Sequence, residues 1–235
     1  MSGLLTLGID TSGKIASVAL ADESGVLAHT TIVTKLTHSQ VILPLVKKLL
    51  ADACINLEDI EAIAVANGPG SYTGLRIGIA AVKGICFASG VNCAGISTLE
   101  SLAYNVCCAD AVVFSVMKAR NDIAYFGIYK ADGSSIKCLE SDTVCKIDDI
   151  LKATERYSGK IILVGDYACE IKEKLFADND SICIAPPKDR LQMASSLCYA
   201  VIDNPKRLGS ADKLDAAYLQ ETKAEKDKLH SEKEN

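Results

Sequence analysis

Twice along the chain, three short strand patterns in a row give way to helix and strand patterns in alternation, and this order constrains the fold more than any other feature. In the first half, residues 4–10, 15–21 and 26–33 are apolar or alternating runs, separated by the turn sequences Thr11-Ser12-Gly13-Lys14 and Asp22-Glu23-Ser24-Gly25. A helix pattern over 38–54, an uncharged strand over 62–66, a helix over 72–89, a strand over 91–96 and a helix from Thr98 to about residue 106 follow. The second half repeats the order with strands over 111–117, 123–129 and 136–144, then helices over 147–157, 167–176 and 191–202 with strands over 161–164 and 182–185 between them. The repeat is one of topology, without sequence similarity between the halves. It predicts an α/β chain of two similar lobes, each a mixed sheet with flanking helices, over residues 1–108 and 109–220. Residues 221–235 are Lys, Glu and Asp with almost nothing apolar, and read as a disordered tail.

With 235 residues, 49% of them hydrophobic, the chain can fill one large core or two small ones. Charges such as Arg76 and Lys83 interrupt the longest apolar stretches, and the start lacks the basic segment and cleavage site of a secretory signal, so a soluble, cytoplasmic protein is expected. Ten cysteines without a C-x-x-C pair fit reduced thiols, mostly small buried hydrophobes such as Cys86, Cys93, Cys183 and Cys198. The formal charge of −5, with no concentration of Lys and Arg in the folded part, argues against a chain that grips nucleic acid by itself.

The most specific stretch is Gly68-Pro69-Gly70-Ser71-Tyr72-Thr73-Gly74-Leu75-Arg76-Ile77-Gly78, placed where a strand hands over to a helix. Backbone N–H groups at a helix start can hold a phosphate, but the spacing matches neither G-x-G-x-x-G nor the Walker loop. The other reading is structural: the glycines turn the chain sharply and bring the helix close to its neighbours. Thr37-His38-Ser39-Gln40 reads as a helix N-cap rather than a hydrolase pair, since adjacent residues at a helix start point in different directions.

Two helices carry more apolar surface than one sheet can cover. Helix 38–54 places Val41, Ile42, Leu43, Leu45, Val46, Leu49, Leu50 and Ala53 on an arc of roughly 200°, about twice what a helix lying on a sheet needs. On helix 72–89, Leu75, Ile77, Ile79, Val82, Ile85 and Phe87 surround most of the axis, and Arg76 and Lys83 share one narrow stripe. Gly74, Gly78, Ala80, Ala81 and Gly84 would let another helix come close. Burial within one lobe and a protein–protein interface are both open on this pattern. The interface reading names Val41, Leu45, Leu49, Gly74, Arg76, Gly78, Ala81 and Lys83.

The stretch from Gly68 to Gly78 resembles the signature G-P-G-S-[FY]-T-G-L-R-I-G of the TsaB (YeaZ-like) family of tRNA threonylcarbamoyladenosine biosynthesis proteins, non-catalytic paralogues of TsaD. The resemblance extends over residues 4 to about 205, through Leu7-Gly8-Ile9-Asp10-Thr11-Ser12, Thr37-His38-Ser39, Gly95-Ile96-Ser97-Thr98-Leu99-Glu100, Ala119-Arg120 with Tyr125, and Leu163-Val164-Gly165-Asp166. It implies the two-lobed fold of actin, hexokinase and Hsp70, with helix 191–202 packing back on the first lobe. It implies a scaffold that forms a heterodimer with TsaD through helices 38–54 and 72–89 and is joined by TsaE. When alone, the chain would cover the same apolar face as a homodimer. It requires no cofactor of its own; ATP or ADP with magnesium belongs to the complex, which alone engages tRNA. Asp10 and Thr11 are the weak candidates for a nucleotide contact, set against an ordinary glycine-containing hairpin. TsaD holds a metal with two histidines four apart, where this chain has Thr98 and Leu102, so catalysis by that route is not expected. The rival readings are an actin-like phosphotransferase or ATPase using the hairpin and the glycine-rich turn, and, behind it, a peptidase.

Overall fold

The computed structural model describes residues 3–33 and 36–219. The first sheet has the order β3-β2-β1-β4-β5, from β1 (Thr6–Asp10), β2 (Ile15–Asp22), β3 (Gly25–Val33), β4 (Ala62–Gly68) and β5 (Asn92–Ser97). The three leading strands form an antiparallel meander, and β4 and β5 continue the sheet in parallel. The second sheet repeats the plan in the order β10-β9-β6-β7-β8, from β6 (Asp110–Arg120), β7 (Ile123–Asp132), β8 (Ile136–Lys146), β9 (Ile161–Val164) and β10 (Ile182–Ile184). Two mixed sheets with one strand order are the two-lobed α/β architecture expected from the topological repeat.

Alternation along the strands decides what each face carries. In the first sheet Leu7, Ile9, Val18, Leu20, Ile63 and Val65 point to one side, where α1 (His38–Asp52) and α2 (Tyr72–Ser89) cover them with Ile42, Val46, Leu49, Ile79 and Val82. The opposite side is small, with Ala19, Ala21, Ala62, Ala64 and Ala66, and receives α6 (Ala194–Ile202) through Leu197, Cys198, Ala200 and Val201. In the second sheet Phe114, Val116, Phe126 and Leu163 face α4 (Ile147–Thr154) and α5 (Ala168–Leu175). Val113, Met117 and Tyr129 face α3 (Thr98–Tyr104) through Leu99, Leu102 and Ala103.

The lobes therefore exchange helices. α6 comes last in the chain and lies on the first sheet, whereas α3 precedes the second sheet and lies on it. A division at residue 108 by sequence thus assigns α3 to the lobe on which it does not chiefly pack. The same division is corrected at the other end, because residues 209–219, assigned to the second lobe, return to the first. Gly209 bridges Cys93, Ala211 and Leu214 enter the core beneath α2, and the Ala217 N–H donates to the Asn67 carbonyl at 2.7 Å. The segment 221–235 expected to be disordered lies outside the described residues. No helix among the described residues is long and apolar enough to cross a membrane.

Candidate functional site

The glycine-rich turn sits at the carboxyl end of β4 and opens α2, whose N-cap Ser71 accepts the Gly74 N–H at 3.2 Å. The helix start is pressed against the β1–β2 hairpin. The Ser71 N–H donates to the Ser12 carbonyl at 2.7 Å, and the Thr11 hydroxyl donates to the Gly74 carbonyl at 2.7 Å. A β-carbon on Gly74 would collide with the Thr11 carbonyl oxygen, and one on Gly78 with the Thr11 side-chain oxygen. The signature glycines are thus spent on bringing α2 onto the hairpin, the structural reading of the two weighed from sequence.

Asp10 and Thr11 are both fully buried. One Asp10 oxygen accepts the Ser12 N–H (2.9 Å) and hydroxyl (2.7 Å), and Oδ2 has no hydrogen-bond partner among the described residues. Burial pushes the Asp10 pKa up, against the Ser12 hydrogen bonds and the nearby His38, which pull it down. Thr11 has its hydroxyl committed to Gly74, so the pair does not fit a nucleotide contact in this conformation. His38 Nε2–H donates to the Gly13 carbonyl at 3.0 Å, tying the start of α1 to the same hairpin. The Thr37-to-Gln40 segment is a capping box, with the Gln40 side chain accepting the Thr37 N–H at 3.1 Å.

The eight expected interface positions separate into two groups. Val41, Leu49, Gly74 and Gly78 are buried in the chain's own first lobe, which corrects their expected outward placement. Val41 and Leu49 are buried because α1 packs on the first sheet beside α2, and Gly74 and Gly78 because α2 presses on Thr11 of the β1–β2 hairpin. Leu45 and Ala81 are half-buried against the core that the two helices cover, Lys83 is half-buried, and Arg76 is exposed. A smaller set of residues faces outward on each helix. Phe87 is 69% exposed and Leu43 50%, with Pro44 and Ala51 on α1 and Ala80, Gly84 and Ala88 on α2 also exposed. A shallow depression of about 520 Å³ on α1 is lined by Leu43, Pro44 and Ala51 with Lys47 and Lys48. A β-carbon on Gly84 would meet nothing within 4 Å among the described residues.

Arg76 is not a free cation awaiting a partner. Its guanidinium lies 4.0 Å from the Tyr72 ring centroid, its Nε–H donates to the Tyr218 hydroxyl at 3.0 Å, and the two tyrosine rings stack at 5.0 Å. Tyr218 was missed in the sequence because 142 residues separate it from Arg76. The short apolar run Ala216-Ala217-Tyr218-Leu219, directly before the charged tail, was the available signal.

Elsewhere, Thr98 and Leu102 are fully buried on α3. At the same end of β5, Ser97 and Tyr129 both donate to Asp142, whose pKa is raised chiefly by burial. Ser17 and His29 meet at 2.9 Å, but Ser17 is fully buried and its oxygen accepts the Ala194 N–H at 3.0 Å, so the pair presents no nucleophile.

Comparison with known proteins places this arrangement. The family model described as TsaD, tRNA N6-adenosine threonylcarbamoyltransferase, matches residues 25–204. The tRNA threonylcarbamoyladenosine biosynthesis protein TsaB of Escherichia coli (strain K12) is 33% identical over 162 residues, 68% of this chain and 70% of that protein. TsaB of Bacillus subtilis (strain 168) is 31% identical over 159 residues, 68% of this chain and 69% of that protein. Among solved structures, YeaZ from Pseudomonas aeruginosa superposes with a TM-score of 0.76 at 26% identity, covering 92% of this chain and 99% of that one. The fold is the two-lobed one of YeaZ, and the chain belongs to the TsaB family of tRNA threonylcarbamoyladenosine biosynthesis proteins.

Proposed function

We propose that this chain acts in tRNA threonylcarbamoyladenosine biosynthesis as a non-catalytic scaffold that pairs with TsaD through the outward residues of α1 and α2. The observation that carries the reading is Phe87, a large apolar side chain 69% exposed in the last turn of α2, on the helix that also exposes Ala80, Gly84 and Ala88. Burying such a side chain stabilises a contact by about 1.5–3 kcal/mol, and small residues on the same helix let a partner backbone approach. The same residues serve a homodimer of the free chain, so self-association through them and pairing with TsaD compete.

TsaE joins the pair. ATP or ADP with magnesium is held by the complex, because Asp10 and Thr11 are closed off in this chain. With a formal charge of −5, the chain leaves tRNA binding to the assembled complex. The buried Thr11 and the engaged Arg76 speak against the rival phosphotransferase, and the buried Ser17 against a peptidase built on the Ser17–His29 pair.

The test is co-purification with the TsaD of the same genome, comparing the natural chain with Phe87→Glu. An unpaired carboxylate in a dry contact costs several kcal/mol, and each ~1.4 kcal/mol weakens binding about tenfold. The variant should remain folded, since its side chain stands largely in solvent, and should lose TsaD. Recovery of a folded Phe87→Glu variant with TsaD at the natural yield would place the contact on another surface.

A further inference from the structure

We propose that β3 is an interaction edge at which a second copy of this chain adds its own β3, antiparallel to the first, joining the two first sheets into one. An unpaired edge strand presents a row of backbone N–H and C=O groups that templates pairing with another strand, and folds guard such edges with short strands, charged side chains or a covering segment. The two sheets have four edges, and three are guarded. β5 is covered by the bridge in which Cys93 and Gly209 exchange both backbone hydrogen bonds at 2.9 Å. β10 has only three residues, and β8 carries Lys137, Glu140, Asp142 and Lys146.

β3 has none of these devices. It is nine residues long, and its sequence Gly25-Val26-Leu27-Ala28-His29-Thr30-Thr31-Ile32-Val33 contains no proline and no Lys, Arg, Asp or Glu. β2 pairs with one side of it, and no strand among the described residues pairs with the other. Five of its side chains are β-branched, the type that packs best on a pleated surface. Val33 is 80% exposed and Leu27 48%, although both are apolar. Beside the strand lies a groove of about 370 Å³, whose walls include Ile15, Thr31, Val33, Pro187 and Leu191. Apolar side chains of an added strand have a place there.

The chemistry of the edge selects a second copy as the occupant. A strand meets its own copy antiparallel about a two-fold axis, and β3 already runs antiparallel to β2, so the addition continues the meander. From Ala28 to Val33 the pairing with β2 is regular, so a two-fold through Thr30 or Thr31 keeps matching faces together and sets threonine against threonine at the axis. Because the strand carries no Lys, Arg, Asp or Glu, self-pairing opposes no like charges, as it would along β8. Each chain has one such edge, so the contact closes with two copies. The surface differs from the one proposed for TsaD: Phe87 lies on α2, which packs at β4, two strands away from β2 and three from β3 in the first sheet.

The experiment measures the mass of the full chain by sedimentation velocity over a concentration series, together with amide hydrogen exchange of the peptides covering residues 25–33. It uses the Phe87→Glu variant, so that self-association through α1 and α2 does not contribute. The expected result is a monomer–dimer equilibrium in which the amides of β3 exchange several-fold more slowly as the dimer fills. Adding Leu27→Lys and Val33→Lys, both at exposed positions, should give a monomer that is folded by circular dichroism. The proposal is overturned if the Phe87→Glu chain stays monomeric at every concentration, if it dimerises while β3 exchanges as in the monomer, or if the folded lysine variant still dimerises. Slowing of β3 exchange only on addition of TsaD would assign the edge to TsaD and overturn it equally. Should the lysine variant fail to fold, the mass and exchange of Phe87→Glu decide. Retention of TsaD by Phe87→Glu would count against the α1–α2 contact alone, because exchange in β3 reports on this edge separately.

Discussion

At the scale of single residues, the glycines of the signature are set by one neighbour, Thr11. Its backbone carbonyl blocks a side chain at 74, and its hydroxyl blocks one at 78. Gly74→Ala should therefore force the helix off the hairpin, costing about 1–3 kcal/mol as overpacking does. For a chain of this size that is a fall in Tm of roughly 2–12 °C, read by a thermal melt. A second residue-scale prediction concerns Asp142, held at the lobe junction by Ser97 and Tyr129. Its folded pKa lies above the ordinary 3.8, mainly because burial disfavours the carboxylate. The folded state thus keeps this proton to higher pH than the unfolded chain, so the group's contribution to stability is complete below its unfolded pKa and is lost as pH rises through the folded one. The Tm of Asp142→Asn measured against that of the natural chain should gain ground as pH rises above the ordinary carboxylate range. A difference that stays constant with pH would show that Asp142 titrates alike in both states. Of these contacts, the sequence shows the glycines but not their cause, because the Thr11–Gly74 approach joins segments 63 residues apart.

At the scale of elements, α1 and α2 were legible as helices with surplus apolar surface, since a periodic pattern of 15 and 18 residues is a strong signal. The face that each presents was not legible. A helical wheel records how wide an apolar arc is but not which neighbour fills it, and here the first sheet takes up part of both arcs and Thr11 of the hairpin part of that of α2. Val41 and Leu49 consequently went inward and Phe87 outward. The division predicts opposite outcomes for one substitution. Leu49→Glu, at 3% exposure, should leave an unpaired carboxylate in the core at a cost of several kcal/mol and fail to give a cooperative melt. Phe87→Glu, at 69% exposure, should melt within about 2 °C of the natural chain, as surface substitutions do. Circular dichroism melts of the two variants check both statements, and a folded Leu49→Glu would show that α1 is turned the other way.

At the scale of the whole molecule, the repeated order of strands and helices revealed two lobes because each short strand lies between clear turn residues. The exchange of α3 and α6 between the lobes, and the return of residues 209–219 to the first, depend on contacts across most of the chain and leave no local pattern. That returning segment has an energetic role. Leu214 lies in the core under α2, and Leu214→Ala should cost about 2–5 kcal/mol, lowering Tm by roughly 4–20 °C. The central claim, that this chain supports the transfer without performing it, is tested most directly by mass-spectrometric measurement of threonylcarbamoyladenosine in tRNA incubated with the purified synthase, TsaD, TsaE and this chain, omitting one protein at a time. The account predicts modified nucleoside when all are present, its loss when Phe87→Glu replaces the natural chain, and none when TsaD is omitted; modification by this chain and the synthase without TsaD would contradict it.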